Sequence, residues 1–278
     1  MLKNSLSVVI PCFNREKELR VLLNSILNQK VKPFEVIIID DHSFDNQVFK
    51  VYCTFKKIYL NKCIILKYYK NEGIQGTTIS KNLGVKNCAK DTDIIGFLDS
   101  DVELNDNFFL ELEKAFIEHK DALGISGYIV NMPSCSFFYS FYCRIFNLFR
   151  IVKKQGLYYI TEYPKSLSSF VFSEWLSGGC SFFRKEVFKE FKHDENLKEK
   201  AYGEDVLFSH QIFQKHPFSL IICGKAWLHH YSSEKGRRKY QLKEIWKKYK
   251  YIYTKLFGFK GFFIAFRKIV GLWLLSLR

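Results

Sequence analysis

The sequence predicts an α/β protein with a mostly parallel sheet flanked by helices, and two observations support this fold class. Short apolar runs of strand length, at residues 6–10, 36–39, 63–68 and 94–98, alternate with helical patterns along the first half of the chain. Such alternation is typical of doubly wound sheets. Most of these runs are continuously apolar, as expected for strands that are buried on both faces.

Helical patterns separate the predicted strands. Residues 16–28 have one apolar face, and residues 47–59 and 80–89 form the next two helical stretches. The second half of the chain is less regular: residues 136–152 are dense in aromatic side chains, and Gly203, Glu204 and Asp205 open a further helical pattern. The apolar face of the first helix comprises Leu19, Leu22, Leu23, Ile26 and Leu27.

Charge and cysteine content narrow the functional classes. The 278 residues are 47% hydrophobic and 17% aromatic and carry a formal net charge of +15. This composition excludes an intrinsically disordered chain. The positive charge favours nucleic acid, anionic lipid or a phosphorylated ligand, with a well-solvated lysine-rich surface as the alternative. The eight cysteines include no Cys-x-x-Cys pair, and the N-terminus shows no signal sequence, so we expect free thiols in a cytoplasmic protein.

The apolar run at residues 94–98 ends abruptly in Asp99, Ser100 and Asp101. In an extended chain, residues i and i+2 point the same way, so the two carboxylates can converge on one ligand. Open α/β sheets bind ligands at the carboxyl ends of their strands. Two oxygen donors there suit Mg²⁺ or Mn²⁺ carrying a phosphorylated substrate, whereas a simple turn is the alternative.

Two further strand ends and one loop carry polar residues. Pro11 is expected to end the first strand, and the turn through Asn14 either offers its backbone to a nucleotide or is a plain strand-to-helix connection. Asp41 follows the second strand, where it would accept a hydrogen bond from a pyrimidine imide or cap the next helix. Residues 71–84, which include Lys81, form a glycine-rich loop that enters a helix and suits anion contact.

Two dipeptides downstream complete the set. Gly178 and Gly179 permit a ligand to lie against the backbone. Glu204 and Asp205 offer a general base for an attacking hydroxyl group. A Glu-Asp pair in a first helical turn also simply favours the helix dipole, so both explanations stay open for this pair.

The order and spacing of these segments resemble those of the family 2 glycosyltransferases, nucleotide-sugar enzymes with the GT-A fold. The family pattern runs from Val-Ile-Pro-x-Phe-Asn through Asp-Asp-x-Ser-x-Asp and an Asn-x-Gly…Asn-x-Gly loop to Asp-x-Asp, Gly-Gly and Glu-Asp. All of these segments occur within residues 5–232 of this chain. The resemblance implies a Rossmann-like, mostly parallel sheet flanked by helices, followed by a C-terminal amphipathic helical extension.

The resemblance also implies a metal site for Mg²⁺ or Mn²⁺. Asp101 would bind the ion directly, and Asp99 would contact the ribose or support the metal. The family often places a histidine after the last core strand as a metal or diphosphate contact. His229 fits that role better than His230, although a structural histidine remains the alternative for either.

Catalytic and donor-binding roles follow from the same resemblance. Asp205 would be the catalytic base, with Glu204 as the second choice. Asp41 would contact the nucleotide base, and Lys81, which stands where the family often has Arg, would contact base or phosphate. The full expected nucleotide-sugar site comprises Pro11, Asn14, Asp41, Lys81, Asp99, Ser100, Gly178 and Gly179.

The implied reaction is direct displacement at the anomeric carbon with inversion of configuration. The expected donor is a uridine diphosphate sugar, ahead of thymidine and guanosine diphosphate sugars, and the expected acceptor is a glycan or lipid-linked molecule in surface polysaccharide biosynthesis. The Gln-x-x-Arg-Trp signature of processive synthases is missing, which favours transfer of one or a few sugars. The alternatives are a nucleotidyltransferase and a basic nucleic-acid-binding protein; the carboxylates at strand ends argue against nucleic acid.

The sequence divides into a catalytic domain, residues 1–232, and a basic tail, residues 233–278. The nucleotide-sugar half of the domain is residues 1–103, and the acceptor half is residues 104–232. The tail ends in an amphipathic helix that we expect to lie on an anionic membrane, at the inner face of the cell membrane. Packing of its apolar stripe on the catalytic domain or on a second subunit is the alternative, and residues 136–152 are a second candidate surface contact.

Overall fold

A computed structural model of the chain describes residues 6–132, 157–158, 166–198, 201–231 and 242–276. Its first half follows the predicted alternation of strands and helices. The observed elements are β1 (Leu6–Cys12), α1 (Glu16–Leu27), β2 (Glu35–Asp40), α2 (Gln47–Leu60), β3 (Ile65–Lys70), α3 (Thr77–Asn87) and β4 (Ile94–Leu98).

The second half of the described chain mixes short strands with helices. The C-terminal helices at its end confirm the predicted helical extension. Its elements are β5 (Val102–Leu104), α4 (Phe108–Glu118), β6 (Gly124–Ile129), β7 (Leu157–Tyr158), β8 (Phe170–Ser173), β9 (Cys180–Arg184), α5 (Val187–Glu190), α6 (Glu204–Lys215), β10 (Leu220–His230), α7 (Leu242–Phe257) and α8 (Phe259–Ser276).

Within the described residues these strands form one sheet in the order β3-β2-β1-β4-β9-β6-β10-β8-β7, with β5 on β10. The first four strands in this order pair in parallel, as expected for β-α-β connections. β9 is antiparallel to both β4 and β6, so it joins the parallel half to the rest of the sheet. The carboxyl ends of β2, β1 and β4 therefore lie side by side at one edge of the molecule.

The expectation that Pro11 ends the first strand is wrong. Pro11 lies inside β1, opposite Ile39, and the strand continues to Cys12. On its other side, β1 pairs with β4 only over residues 6–9. The missing N–H of Pro11 therefore costs no ladder hydrogen bond on the β4 side, which is why proline is tolerated in a central strand here.

Two apolar layers cover the faces of the sheet. Alternate residues of β1 enter different layers: Val8 and Ile10 pack with the α1 face, whereas Val9 packs with Phe97 of β4 on the opposite side. All five residues of β4 are buried, and Gly96 leaves space for the ring of Phe182, because a Cβ there would lie 2.1 Å from ring atoms. The continuous burial explains why these strands are apolar throughout.

A third apolar cluster attaches the C-terminal helices to α6. Leu207 of α6 packs with Ile252 and Tyr253 of α7 and with Ala265 of α8. The stretch at 136–152, predicted as a second surface contact, lies outside the described residues. None of the helices in the described part of the chain has both the length and the hydrophobicity required of a transmembrane span.

Candidate active site

The end of β4 and the end of β10 bring two carboxylates and an imidazole together. His230 Nε2 lies 3.2 Å from Asp101 Oδ1 and 3.6 Å from Asp99 Oδ2. One candidate ligand atom from each of these residues lies within 4.8 Å of the others. Pairing of β10 with β5 sets this arrangement, because His230 is opposite Val102, immediately after Asp101. The carboxylates at the end of the predicted strand thus share one site with a histidine 129 residues away.

The structure places His230 rather than His229 beside the two aspartates. Adjacent strand residues point to opposite faces, and the His229 ring packs instead near Trp227 and stacks on Tyr231, at centroid distances of 5.7 and 6.4 Å. The preference for His229 as the metal contact is therefore corrected to His230 on geometric grounds. Asn131 fixes the end of the strand by accepting the His230 N–H at 2.9 Å.

The Asp99, Asp101 and His230 group fits a divalent cation. Carboxylate oxygens with one imidazole nitrogen are donors that Mg²⁺ and Mn²⁺ accept in proteins. Gly179 keeps the face of this group open, because a Cβ at that position would lie 3.0 Å from Asp99 Oδ2 and 3.3 Å from His230 Cε1. Asp101 is buried, whereas Asp99 is about one-third exposed, so one carboxylate anchors the site and the other faces solvent.

Arg15 forms an ion pair with the other oxygen of Asp101. Its Nη1 contacts Asp101 Oδ2, so both oxygens of this buried carboxylate have partners. Arg15 lies between β1 and α1, where its carbonyl accepts the N–H of Leu19 at 2.9 Å and begins the helix. Its side chain is about one-third exposed, at 32%.

The end of β2 organises the glycine-rich loop. Asp41 Oδ1 accepts a 2.7 Å hydrogen bond from the side-chain amide of Asn71, and both Asp41 oxygens accept the backbone N–H of Gly76, at 3.1 and 3.2 Å. A carboxylate has about four acceptor positions, so room for one further donor remains. Contact of Asp41 with a nucleotide base stays a prediction; its observed role is to hold the loop at residues 71–76.

The turn after β1 is fastened to the turn after β2. Asn14, in the left-handed region at φ 52°, accepts the N–H of Phe44 at 2.9 Å, and its own N–H donates to Ser43 Oγ at 3.0 Å. The exposed rings of Phe13 and Phe44 meet edge to face with centroids 6.1 Å apart. The predicted donor-site residue Asn14 therefore joins two strand ends and leaves two aromatic faces open to solvent.

Ser100 lies within the same edge of the sheet. It is buried and hydrogen-bonds to Cys12, the last residue of β1. Burial raises the pKa of Cys12 to about 12, although Ser100 and Arg15 act in the opposite direction. Cys12 is therefore a neutral thiol at physiological pH, and Ser100 supports the strand end from inside.

The Lys81 side chain is buried in the protein interior. Its Nζ lies 2.5 Å from Glu204 Oε1 and 3.2 Å from the carbonyl of Gly178, and the side chain is 1% exposed. His193 Nδ1 lies 2.9 Å from the second Glu204 oxygen, and its ring stacks on Phe208 with centroids 4.0 Å apart. The Lys81 ammonium group is the counter-ion of a buried glutamate. Contact of Lys81 with base or phosphate stays a prediction.

The two adjacent carboxylates at the start of α6 have opposite electrostatic environments. Burial by itself would raise the pKa of Glu204, but the charge of Lys81 and the hydrogen bond with His193 outweigh it and lower the pKa to about 2. Burial and the neighbouring charge of Glu204 raise the pKa of Asp205 to about 6. Asp205 Oδ2 accepts the N–H of Gly178 at 2.9 Å. Asp205, unlike Glu204, is thus suited to exchange a proton near neutral pH.

The predicted residues divide into two connected groups. One contains the metal-binding candidates, and the other contains Glu204 and Asp205. The Gly178–Gly179 dipeptide contacts both groups: the Asp99 N–H donates to the Gly179 carbonyl at 3.1 Å, and the Gly178 N–H donates to Asp205.

Sequence reasoning missed Arg15 and His193. Arg15 directly follows the polar motif at the end of β1, which is a usable signal. His193 lies 11 residues before Glu204, and no pattern in the sequence marks it.

Curated bacterial glycosyltransferases are similar to parts of this chain. The minor teichoic acid biosynthesis protein GgaA of Bacillus subtilis (strain 168) is 35% identical over 104 residues, which cover 36% of this chain and 22% of GgaA. The poly(ribitol-phosphate) beta-N-acetylglucosaminyltransferase TarP of Staphylococcus aureus (strain N315) is 33% identical over 125 residues, covering 44% of this chain and 36% of TarP. The matched regions therefore span well under half of each relative.

A solved structure matches the fold over most of the chain. The crystal structure of S. aureus TarS 1–349 in complex with UDP-GlcNAc superposes with a TM-score of 0.59 at 19% identity, covering 91% of this chain and 66% of that chain. This likeness confirms the predicted GT-A fold, with its curled, mostly parallel sheet and flanking helices.

The family follows from the extent of the sequence match. The model of the family "Glycosyl transferase family 2" matches residues 7–191, which is more than half of the 278-residue chain. The matched region contains the strand ends that carry Asn14, Asp41, Asp99 and Asp101, together with the glycine pair before β9. The nucleotidyltransferase and nucleic-acid-binding alternatives receive no support from these matches. The chain is a transferase and belongs to glycosyl transferase family 2.

Proposed function

We propose that the protein transfers a sugar, with inversion, from a uridine diphosphate donor to a hydroxyl group of a cell-surface glycan or lipid-linked acceptor. The observation that carries this proposal is the arrangement around Gly178 and Gly179. A cation-binding group of Asp99, Asp101 and His230 lies on one side, and Asp205, whose pKa is near 6, lies on the other. One base on one side, with no second nucleophile in the proposal, predicts a single displacement.

The donor side is formed by the ends of β1, β2 and β4. Asp99, Asp101 and His230 would hold Mg²⁺ or Mn²⁺, which when bound offsets the negative charge of a diphosphate leaving group. The exposed rings of Phe13 and Phe44 offer a surface on which a nucleobase can stack. The structure of TarS was solved with UDP-GlcNAc, which supports a uridine diphosphate sugar for this chain as well.

Asp205 performs the proton transfer in this proposal. Its carboxylate accepts the proton of the acceptor hydroxyl while that oxygen bonds to the anomeric carbon and the bond from that carbon to the diphosphate breaks. The Gly178 N–H holds one Asp205 oxygen, so the carboxylate keeps its orientation during the transfer. Glu204 is unsuited to this role because Lys81 and His193 engage its two oxygens and its pKa is about 2. The two Asp205 oxygens accept only backbone N–H groups, from Gly178 and Val206.

The acceptor is assigned by chemical class. TarP is named for its transfer to poly(ribitol phosphate), and GgaA for teichoic acid biosynthesis, so both names concern anionic surface polymers. A net charge of +15 complements such an acceptor. The same charge, together with exposed Phe side chains on α8, supports peripheral contact with an anionic membrane, where lipid-linked acceptors reside.

A donor panel tests the assignment. The full chain is mixed with UDP, TDP and GDP sugars in Mn²⁺, and thermal stabilisation and nucleotide release are measured. We expect one UDP sugar to stabilise the protein and Asp101→Ala to lose that stabilisation. Asp205→Asn should retain donor-induced stabilisation and lose transfer by at least about 100-fold, the lower range for loss of a general base.

Two results would refute the proposal. Near-normal turnover in Asp205→Asn would show that Asp205 is not the catalytic base. Equal donor-induced stabilisation of wild type and Asp101→Ala would show that Asp101 does not hold the metal. Glu118→Gln is the control, because this substitution also removes one carboxylate charge. Glu118 is an exposed residue at the end of α4 and is none of the site residues.

A further inference from the structure

Arg15 is the one cation in direct contact with the metal-binding candidates among the ion pairs of the described residues. Its guanidinium contacts Asp101 Oδ2, while the opposite oxygen faces His230 at 3.2 Å. Asp101 is only 3% exposed, so its charge requires a partner whenever no divalent cation is bound. Arg15 supplies that partner from the protein itself.

Arg15 also has the position and freedom to change partners. Its backbone is fixed, because its carbonyl begins α1, but its side chain is 32% exposed and carries no second ion pair among the described residues. A guanidinium group binds carboxylates and phosphates with the same fork of N–H donors. A divalent cation beside Asp101 repels the guanidinium and removes the need for it, since the cation itself compensates the carboxylate.

We propose that Arg15 is the internal counter-ion of Asp101 in the metal-free protein, and that on metal binding it is released to the donor diphosphate. The metal half of this inference concerns Asp101 alone, and the diphosphate half rests on the proposed function. The arrangement couples the two ligands. Metal binding is weakened by competition with Arg15, and nucleotide binding after the metal is strengthened because a free guanidinium then faces the phosphates.

Opposite effects on two affinities are the expected signature. In Arg15→Gln, we expect Mn²⁺ to bind the nucleotide-free protein about fivefold to tenfold more tightly, because a repulsive neighbouring charge is gone. We expect UDP, added at saturating Mn²⁺, to bind about tenfold more weakly, because a charge-assisted contact is lost. Electron paramagnetic resonance of free Mn²⁺ measures the first affinity, and isothermal titration calorimetry measures the second.

Two controls keep the outcome interpretable. Lys17→Gln removes the same charge from an exposed position in the first turn of α1, two residues after Arg15, and should change neither affinity. Arg15→Met retains the apolar stem and should reproduce Arg15→Gln; both proteins are kept in Mn²⁺ during purification so that Asp101 stays compensated. Unchanged or weaker Mn²⁺ binding in these variants, or unchanged UDP binding, overturns the inference about Arg15. Absence of Mn²⁺ binding in the wild-type protein overturns the inference and also the proposed metal-dependent function.

Discussion

At the scale of single residues, the adjacent carboxyl groups of Glu204 and Asp205 have different pKa values. Glu204 is fully engaged by Lys81 and His193 and has a pKa of about 2. Asp205 has a pKa of about 6 because it is buried and lies beside that negative charge. Glu204 thus contributes to catalysis, in our proposal, by remaining charged next to the base.

This environment predicts the acidic limb of the pH–rate profile. Asp205 acts in its deprotonated form, so kcat/KM should fall as the pH decreases through about 6 and rise above it. Burial is the larger cause of the raised pKa, and Glu204 is the second. Glu204→Gln removes only the second cause, and the acidic limb should therefore move part of the way to lower pH.

The measurement is initial rate against pH with the donor found in the panel. Glu118→Gln serves as the control and should leave the limb in place. An acidic limb that stays near pH 6, or moves upward, in Glu204→Gln would contradict the electrostatic account of Asp205.

Individual side-chain roles were only partly predictable from the sequence. The convergence of Asp99 and Asp101 follows from the two-residue period of an extended chain, and the structure brings both into one cluster. The sequence favours His229 over His230, whereas the structure places His230 in the cluster. The direction of a side chain in β10 depends on strand pairing and on an irregularity between Cys223 and Trp227. No local sequence pattern predicts such an irregularity.

At the scale of elements, α3 and α6 are joined through a buried ion pair. Lys81 projects from the second turn of α3 and reaches Glu204 in the first turn of α6, 123 residues further along the chain. His193 supports the same carboxylate from the segment after α5. The ion pair between Lys81 and Glu204 therefore helps to position both the helix that follows the glycine-rich loop and the candidate base next to Glu204.

Breaking this pair on one side should be costly. In Lys81→Met, Glu204 loses its cation in the interior, and we expect the free energy of unfolding to fall by about 3–5 kcal/mol. Restoring neutrality in Lys81→Met/Glu204→Gln should recover part of the loss, so the two single effects should not add. Urea unfolding followed by circular dichroism gives these values.

The exposed pair between Lys247 and Glu244 is the matched control. Lys247→Met should change stability by no more than about 1 kcal/mol, because water already solvates both partners. Strict additivity of Lys81→Met and Glu204→Gln would show that the two side chains act independently and would contradict the bridge between the helices.

Most elements of the first half were predictable, and the exceptions have physical causes. Strand β4 and the start of α6 lie where the patterns placed them. β1 ends later than the sequence predicts, since the sequence does not tell on which side of Pro11 a neighbouring strand pairs. The short strands β5, β7 and β8 depend on pairing with distant partners, which no local period marks.

At the scale of the whole molecule, the C-terminal helices have two apolar sides. Gly261 and Ala265 of α8 are buried, with Gly261 packed tightly on the backbone of Tyr253 in α7. Phe259, Phe263 and Phe266 point outward and are 79%, 58% and 54% exposed. The expected packing of α8 on the protein therefore uses only the side with Gly261 and Ala265. The opposite side leaves a row of three phenylalanines exposed to solvent.

Vesicle binding tests what this row contacts. We expect the full chain to sediment with vesicles of phosphatidylcholine and phosphatidylglycerol. Replacing all three phenylalanines by Ser should reduce the bound fraction severalfold, because apolar area leaves the interface. Substitution is cleaner than truncation before Leu256, which would also remove buried residues of the third apolar cluster.

Ile58→Ser/Leu60→Ser on α2 removes exposed apolar side chains elsewhere and should leave vesicle binding intact. Equal sedimentation of the triple variant and the wild type would argue against membrane contact through this row. In that case, concentration-dependent association of the wild type measured by analytical ultracentrifugation, absent in the triple variant, would assign the row to contact with a second copy of the chain.

The dipeptide Gly178–Gly179 has a consequence for how this enzyme can be altered. Gly178 holds Asp205 and Lys81 through its N–H and carbonyl, and Gly179 holds the backbone of Asp99. The backbone of this dipeptide therefore connects the candidate cation site to the candidate base. A chimaera that exchanges residues 1–103 or 104–232 between relatives retains this connection only if the dipeptide, Asp99 and Asp205 all fit one another. Donor and acceptor preference are consequently better varied in the surrounding loops than by exchanging halves.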